Sequence, residues 1–97
     1  MKFLPIFLDI KQRPCLVVGG GEVAARKASQ LISAQGKVTI VAPSINDELL
    51  VLLDKGEIEH IPAEFSENYL DTCVLVIAAT DHASVNEAVS KLAQARN

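Results

Sequence analysis

The chain is poor in aromatic residues, and in tryptophan above all. Of its 97 residues only 4% are Phe, Tyr or Trp, and none is tryptophan. The 49% of hydrophobic residues are therefore mainly Val, Ile, Leu and Ala, the side chains that fill parallel sheets covered by helices on both faces. This composition predicts an α/β domain and disfavours a sandwich or a disulfide scaffold.

Positive charge and long apolar runs are also scarce. The net charge is −3, and no basic run is longer than Arg26-Lys27, so the Lys/Arg stripe that nucleic-acid binding requires is missing. The apolar run near the N-terminus is broken by Pro5 and ended by Asp9, which makes it too short for a signal or membrane segment. We expect a cytoplasmic protein without a nucleic-acid or membrane partner.

The two cysteines give no sign of a disulfide or a metal site. Cys15 and Cys73 each open an apolar run, and in a cytosolic protein such residues are typically reduced, buried thiols. They have no ligand-like spacing to each other or to His60 and His82. We expect no metal ligands in this chain.

One stretch, residues 15–34, organises the sequence. An apolar run stops at Gly19-Gly20-Gly21, and apolar residues then recur at helical spacing, which predicts a strand, a glycine turn and a helix. Gly19-x-Gly21-x-x-Ala24 matches the dinucleotide pattern G-x-G-x-x-G/A. A phosphate group is favoured at the N-terminus of such a helix, so the stretch predicts a nucleotide site.

The rest of the chain continues this alternation. The patterns predict an edge strand or extended arm at 3–10, strands at 15–18, 37–41, 57–63 and 72–79, and helices at 22–34, after Ser44, and after Asp81 or Ser84. Right-handed crossovers then give a Rossmann-like, three-layer fold with a parallel sheet in the order 3-2-1-4. Strand 57–63 is predicted near the sheet edge, and strand 72–79 is predicted to be central and buried on both faces.

Several details follow from local signals. Ser44, three residues before Asp47, is expected to cap the second helix, and Gly36 to take the left-handed position after the first. Ligands of such sheets bind beyond the carboxyl ends of the strands. The residues from Gly19 to Val23 and from Ala79 to Asp81 are therefore expected to border one crevice.

Three segments together resemble the N-terminal domain of siroheme synthase. They are Leu4-Pro-Ile-Phe-Leu8, the block from Val17 to Lys27, and Leu75-Val-Ile-Ala-Ala-Thr-Asp81 with Val85-Asn86. The resemblance implies a homodimeric precorrin-2 dehydrogenase and sirohydrochlorin ferrochelatase, with NAD as oxidant and precorrin-2 and ferrous iron as substrates. In this family the domain is often fused to a methyltransferase.

The resemblance also assigns residues. Glu22, Val23, Pro43 and Ser44 would line the NAD site together with the three glycines, and Ala79, Thr80 and Asp81 would face the nicotinamide side. The family's catalytic aspartate would lie just beyond Asn97, followed by the dimerisation region. Residues 1–97 are thus expected to be the NAD-binding part of a longer protein, without catalytic residues of their own and inactive alone.

One position departs from the general dinucleotide pattern. The acid that usually binds the ribose hydroxyls at the end of the second strand is replaced by Ala42. Ser44 or Asn46 is expected to take that contact, and NAD is favoured over NADP because no Arg stands there. A regulatory nucleotide-binding module and an S-adenosylmethionine-dependent methyltransferase are the alternatives, and both usually keep the missing acid.

The charged residues near the predicted crevice have simple alternatives. Asp81 either caps the last helix or contacts the ligand. Arg26 and Lys27 are expected on a solvated helix face and His82 in a solvated loop, and His60 is expected to be structural.

Overall fold

The computed structural model describes residues 9–95. The arm predicted at 3–10 lies outside this part except for its last two positions, which form no strand. No helix among the described residues is long and apolar enough to cross a membrane.

Four parallel strands form a single sheet with helices on both faces. The strands are β1 (Pro14–Val18), β2 (Lys37–Val41), β3 (Ile58–Ile61) and β4 (Leu75–Ala78), and the helices are α1 (Glu22–Ser33), α2 (Asp47–Asp54) and α3 (Ala83–Ala95), with a 3₁₀ helix at Glu67–Asp71. The strand order is β3-β2-β1-β4. The predicted Rossmann-like fold and the order 3-2-1-4 are confirmed.

The register of the sheet brings three strand ends level with each other. Val18, the last residue of β1, is aligned with Val41 on β2 and with Ala78 on β4. Because parallel strands end at the same edge, the three loops that follow begin side by side. This edge is where the sequence predicts the ligand crevice.

The core lies on both faces of the sheet, and β1 contributes to each. Cys15 and Val17 belong to the cluster under α1 and α2, whereas Leu16 and Val18 belong to the cluster under α3. This alternation follows from the two-residue period of a strand. The central strand is therefore β1, with side chains no more than 4% exposed from Cys15 to Val18.

Small residues bring α1 close to the sheet. Ala24, Ala25 and Ala28 are at most 1% exposed, so the helix backbone approaches the strands without an intervening large side chain. Ala24 occupies the third position of the glycine motif, where close packing of helix on strand requires a small residue. The burial of Ala24 fits this position of the pattern.

The end of α1 differs from the prediction by one residue. Gln35, not Gly36, takes the left-handed conformation, with φ of 65°. The N–H of Gly36 donates to the Leu31 carbonyl at 3.0 Å and that of Gln35 to the Ile32 carbonyl at 2.8 Å, the two bonds of a Schellman motif. Gly36 is instead confined by packing, since a Cβ there would lie 3.1 Å from the Cys15 Sγ.

The predicted helix caps were wrong at both later helices. Asn46 caps α2, because its Oδ1 accepts from the Leu49 N–H at 3.0 Å; Ser44 lies two residues earlier. Helix α3 begins at Ala83, so Ser84 is already helical and His82 holds the N-cap position. The His82 carbonyl accepts the first helical bond, from the Asn86 N–H at 3.1 Å, and Asp81 stands one residue too early to cap.

Strand β4 is shorter and more exposed than the sequence predicts. It covers Leu75–Ala78, and every residue in it is only half-buried. Among the described residues it pairs with β1 alone, so it is an edge strand, as the predicted order 3-2-1-4 requires; the prediction of a central strand buried on both faces was wrong. A continuous apolar run indicates burial on both faces of a sheet, but it does not show how many strands flank the strand. The edge position predicted for β3 is confirmed.

Helix α3 packs against the sheet through one apolar face. Val89 is 1% exposed, and Val85 and Leu92 pack against the same cluster. Ala88 is exposed. It lies on the border of the cleft described below, which explains why an apolar residue stands there.

The two cysteines differ in burial. Cys15 is buried and Cys73 is half-buried, so burial was predicted correctly for the first and only partly for the second. Burial raises the pKa of the Cys15 thiol, and the nearby Cys73 adds to the increase. Among residues 9–95 no cluster of three or more His, Cys, Asp or Glu side chains is arranged to hold a metal ion.

Candidate nucleotide-binding cleft

A cleft of about 660 Å³ opens at the carboxyl edge of the sheet. Its walls are the glycine turn after β1, the loop after β2, the segment after β3, and the loop between β4 and α3. Eight of the ten predicted site residues line it: Gly19, Gly20, Gly21, Pro43, Ser44, Ala79, Thr80 and Asp81. The two predicted stretches therefore border one crevice.

The remaining two predicted residues, Glu22 and Val23, form the first turn of α1. Glu22 lines a separate polar groove together with Arg26 and Glu48. Val23 is 40% exposed. Neither side chain lines the cleft, so a contact from these residues to a ligand has to come from their backbone N–H groups.

Gly19 is required by its conformation and by a close neighbour. Its φ is +136°, a value that side chains with a Cβ rarely adopt. A Cβ on Gly19 would also clash with the carbonyl oxygen of Ala79. The glycine turn therefore lies directly against the loop that follows β4.

Gly20 is required by a second close approach. A Cβ there would clash with the carbonyl oxygen of Ser44, in the loop between β2 and α2. In addition, the Gly20 carbonyl accepts a hydrogen bond from the Asn46 N–H at 2.8 Å. The absence of a side chain at this position serves the packing of two loops.

At Gly21, no contact with the described part of the protein requires a glycine. A Cβ there would meet no atom within 4 Å, and its φ of −103° is open to any residue. The space beside it belongs to the cleft. The second glycine of the dinucleotide pattern lets a pyrophosphate approach the backbone, and the open space at Gly21 fits that group.

The N-terminus of α1 offers donors to the same space. Gly21 holds the N-cap position and no side chain caps the helix, so the first-turn N–H groups have no side-chain acceptor and no intrahelical one. The first helical bond runs from the Ala25 N–H to the Gly21 carbonyl at 3.0 Å. Helix α2, in contrast, is capped by Asn46. An anion at α1 would supply the missing cap and would be favoured by the helix dipole.

The loop after β2 forms one end of the cleft. Ala42 is 4% exposed, and its carbonyl lies 2.9 Å from the Nε2 of His60, which donates to it and so fixes the start of the loop. This assigns His60 the structural role that was predicted. Of the two residues expected to meet the ribose, Ser44 lines the cleft, whereas Asn46 uses its Oδ1 to cap α2.

The loop after β4 forms the other end. Ala79 is 6% exposed, and Thr80 is held by Asn86 through three hydrogen bonds. Sequence reasoning included Asn86 in the family resemblance but gave it no role. The signal available was a polar residue in the first turns of α3, six positions after Thr80, where it can reach back to the loop.

The charges around the cleft are negative. Glu64 and Asp81 line it, and among the described residues no Lys or Arg does. Arg26 lies in the other groove and is exposed, as predicted. A pyrophosphate here would meet the N–H groups of α1, and within residues 9–95 no Lys or Arg side chain lines the cleft to meet an additional phosphate.

Comparison with known proteins agrees with this geometry. The chain is 54% identical over 97 residues to a siroheme synthase of Methylobacillus flagellatus, covering 100% of this chain and 21% of that protein. It is 48% identical over 96 residues to a siroheme synthase of Chromobacterium violaceum, covering 99% and 20%. The chain thus spans about a fifth of the length of these relatives, and the resemblance predicted from the sequence is confirmed.

A solved structure and a family model extend the comparison. The structure of SirC, a precorrin-2 dehydrogenase, superposes with a TM-score of 0.83 at 30% identity, over 91% of this chain and 44% of that one. A family model described as NAD(P)-binding matches residues 6–97, which include both the glycine turn and the loop after β4. Since that match covers nearly the whole sequence, the chain belongs to this NAD(P)-binding family.

Proposed function

We propose that the cleft binds NAD, with the pyrophosphate at the N-terminus of α1. The observation that carries the proposal is Gly21, where the fold needs no glycine and leaves open space beside uncapped helix N–H groups. Packing explains Gly19 and Gly20 without a ligand. Of the three glycines in the turn, Gly21 is the one at which the missing side chain leaves room for something outside the protein.

The two ends of the cleft then receive the two halves of the cofactor. In Rossmann-like sheets a dinucleotide lies across the strand ends with its pyrophosphate in the middle. The adenosine half falls toward Pro43 and Ser44 after β2, and the nicotinamide half toward Ala79, Thr80 and Asp81 after β4. Ser44 offers a hydroxyl to the ribose in place of the missing acid. Glu22 and Val23 contribute their N–H groups.

We further propose that the protein serves as the NAD-binding part of a precorrin-2 dehydrogenase. Bound NAD would accept a hydride from precorrin-2, which is thereby oxidised to sirohydrochlorin. The residues described here orient the cofactor and shield its nicotinamide end. Similarity to siroheme synthases and to SirC supports this substrate.

Further parts of the proposed activity rest on the resemblance alone. They are an aspartate beyond Asn97 as the catalytic group, homodimer formation through a region that follows it, and chelation of ferrous iron, as a substrate, into sirohydrochlorin. A cytoplasmic location is part of the same proposal.

Titration calorimetry with three ligands tests the binding proposal. NAD is expected to bind, NADP more weakly, and S-adenosylmethionine not at all. Tight binding of S-adenosylmethionine without NAD binding would contradict the proposal and favour the methyltransferase alternative. For the full-length protein, anaerobic oxidation of precorrin-2, followed by absorbance, tests the substrate; a dependence on NAD is expected.

A further inference from the structure

Asn86 binds every polar group of Thr80. Its Oδ1 accepts from the Thr80 N–H at 3.0 Å and from the Thr80 Oγ1 at 2.6 Å, and its Nδ2 donates to the Thr80 carbonyl at 3.1 Å. The Thr80 Oγ1 in turn accepts from the His82 N–H at 3.2 Å. One amide side chain thus holds both the backbone and the hydroxyl of a residue that lines the cleft.

These bonds join the loop to the helix, whereas the loop's own bonds run between Thr80 and His82. The sheet ladder ends where the Ala79 N–H donates to the Val18 carbonyl at 2.8 Å. Ala79 lies against Gly19 so closely that a Cβ on the glycine would clash with it. Beyond this point the chain crosses the cleft border to reach α3, and the bonds from Asn86 join the crossing segment to the helix.

Asn86 itself stays out of the cleft. Thr80, Ser84, Val85 and Ala88 line it, whereas Asn86 does not and is half-buried. Any influence on a ligand must therefore pass through Thr80 and the start of α3. The amide is suited to this because it offers a donor and an acceptor in one plane, which neither a carboxylate nor a hydroxyl reproduces.

We propose that Asn86 is a positioning residue that holds the Thr80 loop at the distance from the glycine turn that the nicotinamide half of the cofactor requires. The inference rests on the proposed function, since it assumes NAD in the cleft. It adds that the two ends of the cleft are supported separately: Asn86 fixes the position of the end after β4 and does not affect the end after β2.

A pair of ligands separates this role from a general structural one. ADP-ribose has the adenosine and pyrophosphate of NAD but lacks nicotinamide. In the full chain, Asn86→Ala is expected to weaken NAD binding about tenfold and ADP-ribose binding less than about twofold, because only one end of the site loses its hydrogen-bonded support. A general loss of stability would weaken the binding of both ligands to the same extent.

Two further variants complete the titration. Gln94→Ala removes an exposed amide from the same helix and is expected to bind both ligands like the unmodified chain. Asn86→Asp keeps an acceptor for the Thr80 N–H but loses the donor to the Thr80 carbonyl, so a smaller loss confined to NAD is expected. This variant decides the question if Asn86→Ala does not fold, as judged by circular dichroism.

The outcomes separate the inference from the proposed function. Equal weakening of NAD and ADP-ribose, or no change for either, would overturn the role of Asn86 while leaving the NAD site intact. If the unmodified chain bound neither NAD nor ADP-ribose, the proposed function would be overturned, and this inference with it.

Discussion

The N–H of Asn46 donates to the carbonyl of Gly20 at 2.8 Å and so ties the loop after β2 to the glycine turn. Together with the contact between Gly19 and Ala79, this bond places the glycine turn between the two ends of the cleft. Two of the three glycines are thereby assigned to protein packing. The third, Gly21, has open space where a Cβ would stand.

Gly20→Ala is expected to destabilise the fold. The new methyl group would clash with the Ser44 carbonyl oxygen, and overpacking of this kind typically costs about 1–3 kcal/mol. Urea denaturation followed by circular dichroism measures the change in the free energy of unfolding. A variant as stable as the unmodified chain would show that the two loops are not in contact.

Asn46→Ala is expected to lower stability by about 1 kcal/mol, because α2 loses its N-cap. Ser44→Ala is the matched control, since Ser44 carries the predicted cap but not the observed one. Its free energy of unfolding should stay within about 0.5 kcal/mol of that of the unmodified chain, as for most surface substitutions. A larger loss of stability for Ser44→Ala than for Asn46→Ala would favour Ser44, the cap predicted from the sequence.

The two cysteines are expected to react at different rates. Cys15 is 1% exposed, so a reagent reaches it poorly. Its thiol pKa is raised above the ordinary value, so near neutral pH less of it is in the reactive thiolate form than for an ordinary cysteine. Cys73 is half-buried and should be alkylated first. Mass spectrometry after timed exposure to iodoacetamide measures both sites, and preferential labelling of Cys15 would be inconsistent with its burial.

NADP is expected to bind more weakly than NAD. Glu64, in the segment after β3, lines the cleft without a Lys or Arg among the described residues, so the 2′-phosphate of the adenosine half would meet negative charge. Ser44→Arg places a cation at the end of β2, where such an arginine accommodates the 2′-phosphate in NADP-binding proteins. The ratio of the two dissociation constants should then move toward NADP. An unchanged ratio would place the adenosine half elsewhere.

Local patterns were sufficient to predict the architecture. The apolar run before Gly19 and the helical spacing after it identify the central β–turn–α unit, and the rule of right-handed crossovers then gives the strand order. The resemblance drawn from the same residues named the correct relatives. Eight of the ten predicted site residues line one cleft because the carboxyl ends of parallel strands meet at one edge.

The failures concern interactions between residues that the sequence does not show to be neighbours. Ser44 and Asn46 are both good N-cap residues, and the choice depends on where the loop bends to reach Gly20. The exposure of β4 depends on which strands flank it. The bonds of Asn86 to Thr80 span six residues and a change from loop to helix, so neither periodicity nor a cap signal reveals them.

The most direct test of the central claim is a titration of NAD against Gly21→Val. The side chain would enter open space, so the variant should fold, with a loss of no more than about 1 kcal/mol from a poorer N-cap. NAD affinity should fall at least about tenfold, because the side chain fills the space that the pyrophosphate requires. A folded Gly21→Val chain that binds NAD as tightly as the unmodified one would contradict the account.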